Sequence, residues 1–157
     1  SIHGRTRKQM YKGEANWELI RETKNNPKLH IPVFGNGDIN SPEKAAEYKQ
    51  KYGVDGIMIG RASIGYPWIF NEIKHYLKTG KHLAAPTIHD RVQAAKIHLS
   101  ESIRWKGLTL GILEMRRHYT NYFRGLPGIK EYRLKLVTYQ TEEEILKLLD
   151  EILTKYS

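Results

Sequence analysis

Over residues 1–80, short apolar runs alternate with longer segments whose apolar positions recur every three or four residues. From Thr87 onward only the longer period remains. In the first part, Asn16–Lys24 reads as a helix with Trp17, Leu19, Ile20 and Thr23 near one face, ended by Asn25-Asn26-Pro27. Ile31-Pro32-Val33-Phe34 is a buried-strand candidate, with Pro32 near its start, where a missing N–H is tolerated. Ser41-Pro42-Glu43 opens the next helix: Ser caps free N–H groups, Pro suits the first turn and Glu complements the positive dipole end. That helix runs to Gly53. Gly56-Ile57-Met58-Ile59 is a second strand stopping at Gly60-Arg61, and a helix follows from Pro67 to Leu77, closed by Thr79-Gly80.

This βαβα order predicts parallel strands joined by right-handed crossovers. Two such strands do not make a parallel sheet covered on both faces. Ser1-Ile2-His3-Gly4 falls where a preceding strand would be ending, so the chain reads as the tail of a longer protein. The second part carries helical signals alone. Asp90–Trp105 places Val92, Ala95, Leu99 and Ile103 on one face; Leu108–Phe123 carries Leu110, Leu113, Tyr119 and Phe123 beside basic residues. Gly125-Leu126-Pro127-Gly128 is a loop and Ile129–Val137 a short helix. Thr141-Glu142-Glu143-Glu144 has capping-box spacing before a last helix ending near Leu153. The expected organisation is α/β followed by all-α, with residues 1–80 and 87–157 as two domains, Lys81–Pro86 as linker, and a helical bundle for the second.

Charge sharpens this division. The formal net charge is +9 over 157 residues; residues 81–140 hold 11 Lys and Arg against 4 Asp and Glu, and residues 141–157 hold 2 against 5. A basic middle-to-late segment suits a polyanionic partner, most simply nucleic acid. The absence of Cys excludes disulfides, cysteine-ligated zinc and a thiol nucleophile within these residues. No metal-ligand spacing is apparent among the seven His, and His98 and His118 read as structural. No run approaches the roughly 20 apolar residues of a membrane-spanning helix. No basic-then-apolar leader opens the chain, and a cytoplasmic location is expected.

Two loops carry candidate chemistry. Gly35-Asn36-Gly37-Asp38 lies between a strand and a helix start, where parallel α/β proteins bind ligands. Glycines there let the backbone approach a ligand closely, and helix N-termini favour phosphate. Taken alone it is also an ordinary turn. Gly60-Arg61-Ala62, a second strand-to-helix loop with a glycine and a guanidinium, turns the pair into the phosphate site that (β/α)₈ barrels form after their last strands. His3-Gly4-Arg5-Thr6-Arg7 would end the preceding strand on the same face. His3 would then face a cofactor ring, and Arg5 and Arg7 would either meet an anionic substrate or be solvated.

Taken with Asp55-Gly56-Ile57-Met58-Ile59-Gly60-Arg61-Ala62, Pro67-Trp68-Ile69-Phe70 and, later, Arg116-Arg117-His118-Tyr119 and Gly125-Leu126-Pro127-Gly128, these stretches resemble the C-terminal part of a bacterial tRNA-dihydrouridine synthase, in order and over nearly the whole chain. The resemblance implies the last units of an FMN-binding (β/α)₈ TIM barrel followed by a helical tRNA-binding domain, in an enzyme that reduces uridine in tRNA with NADPH. It implies that Asn36, Gly37, Asp38, Gly60 and Arg61 meet the FMN phosphate and ribityl region, with His3 near the isoalloxazine. The family's catalytic Cys and flavin-contacting Lys belong to earlier barrel segments. No catalytic residue is therefore expected here, and the 157 residues alone are expected to be inactive.

In the helical part, Arg104, Lys106, Arg116, Arg117, Arg124, Lys130, Arg133 and Lys135 cluster with Trp105, Tyr119, Tyr122 and Tyr132. Basic residues engage phosphates without reading sequence, whereas aromatics at helical spacing read first as core. With tRNA as the implied partner, Arg5, Arg7, Arg116, Arg117, Arg124, Lys130 and Arg133 are the expected RNA contacts. The alternatives are an FMN-barrel oxidoreductase acting on a small pyrimidine and a non-catalytic RNA-binding module.

Overall fold

The computed structural model describes residues 1–157 as an α/β chain with seven helices and a three-stranded parallel sheet. It divides into two compact units, Ser1–Ser63 with Pro67–Leu83, and Ile64–Tyr66 with Ala84–Ser157.

The first unit runs β1 (Ile2–His3), α1 (Glu18–Lys24), β2 (Phe34–Asn36), α2 (Pro42–Tyr52), β3 (Gly56–Met58), a 3₁₀ turn at Arg61–Ser63, and α3 (Ile69–Thr79). The strands lie in the order β1-β2-β3, with Ile2 opposite Gly35, His3 opposite Asn36, and Asn36 opposite Met58. This register brings the carboxyl ends of all three strands to one edge. Trp17, Ile20, Val33, Ala45, Val54 and Ile69 are buried beneath it, and the Trp17 ring meets Tyr48 and Tyr52 at centroid distances of 5.0 and 5.5 Å. The start of α2 follows the sequence signals: Ser41 Oγ accepts the Lys44 N–H at 3.2 Å, Pro42 takes the first position, and Gly53 closes the helix at φ 65°.

Two local expectations are corrected. The strand expected at Ile31–Phe34 is displaced to Phe34–Asn36. Val33 N–H donates to the Asp55 carboxylate at 2.7 Å and the Val33 carbonyl accepts the Asp55 N–H at 2.9 Å, so a side chain and the backbone together hold the lead-in at Val33, while Ile31 is exposed. Pairing with β3 begins at Phe34, opposite Gly56, and pairing with β1 at Gly35, against whose backbone the Trp17 ring lies; a Cβ at Gly35 would come within 2.2 Å of that ring. Leu19, expected on the inner face of α1, is exposed, because Trp17 and Ile20 fill the space beneath the sheet.

The second unit contains α4 (Ile88–Lys106), α5 (Leu108–Tyr122), α6 (Lys130–Thr138) and α7 (Glu142–Tyr156). Thr87 and Asp90 form a reciprocal capping box at the start of α4, and Thr141 caps α7 by accepting the Glu144 N–H. Val92, Ala95 and Leu99 are fully buried as their spacing predicts, with Ile103 half-buried. On α5, however, Leu110 and Leu113 are exposed, and Ile112, Met115, Tyr119 and Tyr122 face inward. Gly111 sets that rotation: a Cβ there would come within 2.6 Å of the Ile103 Cα, so α5 approaches α4 through its glycine. Ile64-Gly65-Tyr66 joins this unit against α5. Gly65 N–H donates to His118 Nδ1 at 3.1 Å, and Asn121 Nδ2 donates to the Ile64 carbonyl at 2.7 Å. No helix is long and apolar enough to cross a membrane.

Candidate functional site

The carboxyl edge of the sheet opens into a cleft of about 680 Å³. His3 and Arg5 reach it from the end of β1, Asn36, Gly37 and Asp38 from the end of β2, and Met58, Gly60 and Arg61 from the end of β3. Tyr11 and Lys44 complete much of its wall. Three successive strands thus deliver all six residues expected at a cofactor into one space.

At its centre is a carboxylate shared by two guanidinium groups. Arg5 donates to both Asp38 oxygens, at 2.8 and 2.6 Å, and Arg61 donates to Asp38 Oδ1 at 3.0 Å. The Ala15 N–H adds a fourth donor at 2.9 Å. The Arg5 hydrogen bond above all, then the Ala15 N–H and the charges of Arg5 and Arg61, hold the Asp38 carboxyl below the usual Asp value against the opposing effect of partial burial. Asp38 adopts φ 58°, a left-handed conformation that Asp tolerates better than most residues. The preceding Gly37 has φ 130°, and a Cβ there would meet Ala15 at 2.6 Å. Its carbonyl accepts the buried Trp17 indole N–H at 3.0 Å. The loop is therefore braced from below by Ala15 and Trp17, two residues whose role no local sequence signal announces.

The other lining groups are equally defined. His3 Nδ1 accepts the Arg5 N–H at 3.0 Å, so in the neutral ring the proton sits on Nε2, which is left as a donor. Asn36 Nδ2 donates to the Met58 carbonyl at 2.6 Å and ties the ends of β2 and β3 together. A Cβ at Gly60 would meet nothing within 4 Å, so the glycine borders open space. Arg61 stacks on Tyr11, its guanidinium carbon 4.3 Å from the ring centroid. Among the lining residues Arg5, Arg61 and Lys44 outnumber Asp38 and Glu14 by one charge, which favours an anion.

The residues expected at RNA fall into two groups. Arg7 is exposed. Arg5 is not: its side chain is 4% exposed and its donors go to Asp38 and to the Lys12 and Gly13 carbonyls. In the helical unit, Arg117, Arg124 and Lys130 are exposed and Arg116 and Arg133 half-buried. The ion pairs of that unit, Lys96–Asp150, Arg104–Glu101, Lys106–Glu114 and Lys135–Glu131, use none of these five. Of the accompanying aromatics, Tyr119 and Tyr122 are core, Tyr132 is half-buried, and Trp105 is 77% exposed.

The family model for dihydrouridine synthase (Dus) matches residues 1–157. The chain is 45% identical over 133 residues to tRNA-dihydrouridine synthase B of Pseudomonas aeruginosa and 44% identical over 135 residues to that of Pseudomonas putida. It is 38% identical over 154 residues to a Synechocystis protein named Probable tRNA-dihydrouridine synthase 1. These alignments cover 85%, 86% and 98% of the chain but 40%, 40% and 42% of the relatives, so the chain spans about two fifths of their length.

Proposed function

The chain belongs to the dihydrouridine synthase family, and on that basis we propose that it carries the phosphate-binding end of an FMN-binding (β/α)₈ barrel and a tRNA-binding helical domain. Residues 1–80 are the barrel portion and residues 87–157 the helical bundle domain. The whole protein would reduce uridine in tRNA to 5,6-dihydrouridine at the expense of NADPH. One observation carries the cofactor assignment: three adjacent parallel strands end in a single cleft with Gly37, Gly60 and two guanidinium groups around it. A phosphate monoester fits that arrangement, because Gly60 leaves open space for close approach and the lining charge is positive by one.

When bound, the flavin supplies the hydride that reduces the C5–C6 bond of uracil. The chain's own residues bind and orient. Gly60 and Arg61, with Asn36 and Gly37, would hold the phosphate and ribityl end, and Asp38 lies among them bound to Arg5 and Arg61. His3, its Nδ1 occupied by the Arg5 N–H, would have Nε2–H free to donate to an acceptor atom of the ring system. The family resemblance gives protonation of C5 to a Cys, and these 157 residues contain none. Arg116, Arg117, Arg124, Lys130 and Arg133, free of carboxylate partners within their unit, engage tRNA phosphates, and Arg7 does so from the β1 side.

The complete protein tests this. Unmodified tRNA is expected to gain dihydrouridine in the presence of FMN and NADPH. tRNA affinity is expected to fall about a hundredfold or more between about 50 and 200 mM salt. Salt-independent turnover of free pyrimidine with no tRNA affinity would overturn the assignment in favour of a small-molecule oxidoreductase. The 157 residues alone are expected neither to retain FMN nor to reduce uridine; an active yellow preparation of them would refute that.

A further inference from the structure

The two arginines of the cleft are not equivalent. Arg5 spends its donors inside the protein: two on Asp38, one on the Lys12 carbonyl at 3.3 Å and one on the Gly13 carbonyl at 2.5 Å. Arg61 commits one of its five N–H donors, to Asp38 Oδ1, and its side chain stays 51% exposed. One face of its guanidinium is covered by the Tyr11 ring at 4.3 Å. Its plane is thus fixed by an edge contact and a face contact while four donors remain for something else.

Both contacts are themselves held in place. Asp38 accepts four hydrogen bonds, from Arg5 twice, Ala15 and Arg61, which fills the lone-pair sites of a carboxylate. It has no acceptor capacity left, and as an anion it would repel a phosphate. Tyr11 is 64% exposed, yet its loop is fastened. The Gln9 N–H bonds the Thr6 carbonyl at 3.1 Å, the Lys12 N–H bonds the Gln9 carbonyl at 3.0 Å, and Arg5 holds the carbonyls of Lys12 and Gly13 directly after Tyr11. Arg5 therefore fixes both supports of Arg61 at once.

Resting on the flavin reading above, we infer that Asp38 and Tyr11 are positioning residues that aim Arg61 at the ligand's phosphate: Asp38 through one hydrogen bond, Tyr11 through its ring face. Neither touches the phosphate. An unsupported Arg on a surface turn must give up the freedom of a long side chain when it binds; this one is already ordered. Planar stacking and a forked array of donors are properties of Arg that Lys lacks, which accounts for a guanidinium at this position.

The test is equilibrium titration of the complete protein, freed of flavin, with FMN and with riboflavin, followed by flavin fluorescence, with melting temperature measured alongside. The wild-type protein is expected to prefer FMN. Tyr11→Ala should reduce that preference about three- to tenfold without changing riboflavin affinity, and Tyr11→Phe, which keeps the ring, should restore it. Asp38→Asn separates aiming from bulk charge. It makes the cleft more positive by one, so a pure field effect tightens FMN binding, whereas loss of aim weakens it; weaker binding is expected. A Tyr11→Ala protein with wild-type preference, or an Asp38→Asn protein that binds FMN equally well or better, overturns the inference and leaves the phosphate site standing. A wild-type protein that does not distinguish FMN from riboflavin overturns both.

Discussion

Two ionisable side chains, Asp38 and His118, titrate below their ordinary values for opposite physical reasons. Asp38 does so because cationic donors favour its charged form. His118 is pushed down to about 4, first by burial and then by the facing His98 and Arg117, with Lys106 adding to the effect and Glu114 opposing it. Its Nδ1 already accepts the Gly65 N–H, a bond that protonation at that nitrogen would break. The sign of the linkage follows. The unfolded chain takes up a proton near 6.5 and the folded chain only near 4, so stability declines as pH falls across that window and levels off beneath it. Denaturant unfolding at pH 7, 6 and 5 should show this decline, and His118→Asn should flatten it; equal slopes in the two proteins would sink the assignment. At this scale the sequence was legible where a residue's neighbours in the chain carry its meaning. Gly35-Asn36-Gly37-Asp38 announced the passage from a strand to a helix, and the structure has it leading from β2 to α2. Arg5 looked solvent-exposed because its partners, Asp38 and the Lys12 and Gly13 carbonyls, are brought to it only by β-sheet register and loop closure.

Helix starts were easier to read than helix faces. Ser41-Pro42 and Thr141 with Glu144 act as the caps expected of them, because capping is local chemistry between residues three apart; Thr87 with Asp90 forms a further capping box, ahead of the start expected at Asp90. Thr87→Ala should cost about 0.5–2 kcal/mol in denaturant unfolding, through loss of the side chain that accepts the Asp90 N–H. Which face of α5 turns inward depends instead on Gly111, whose bare Cα lies against Ile103 of α4. Apolar periodicity favoured Leu110 and Leu113, yet close approach through a glycine outweighs the side chains on either side of it. Gly111→Ala is therefore expected to force the helices apart and to cost about 1–3 kcal/mol, the usual range for overpacking. A wild-type unfolding midpoint in that variant would show that α5 reaches α4 by some other contact. The displaced β2 teaches the same lesson: Gly35, read as the start of a loop, is a strand residue paired on both sides, and its missing side chain makes room for Trp17.

Across the molecule, positive charge and cations without carboxylate partners coincide in the helical unit. Residues 81–140 hold 11 Lys and Arg against 4 acids, and the five cations proposed to meet RNA are outside that unit's ion pairs. Arg117→Ala and Arg124→Ala in the complete protein should each lower the salt dependence of tRNA binding by about one in log–log slope, weakening all tRNAs alike. Loss of affinity for one tRNA alone would mean base reading instead. The passage from strand-bearing to strand-free sequence was legible from periodicity, but the three-residue exception to it was not, because Ile64-Gly65-Tyr66 carries no helical or strand signal. Those residues give the helical unit a discontinuous blueprint. A gene rearrangement that joined Ala84–Ser157 to another protein would leave behind the backbone groups that His118 and Asn121 bind. Moved without the outlying tripeptide, the helices would lose both hydrogen bonds.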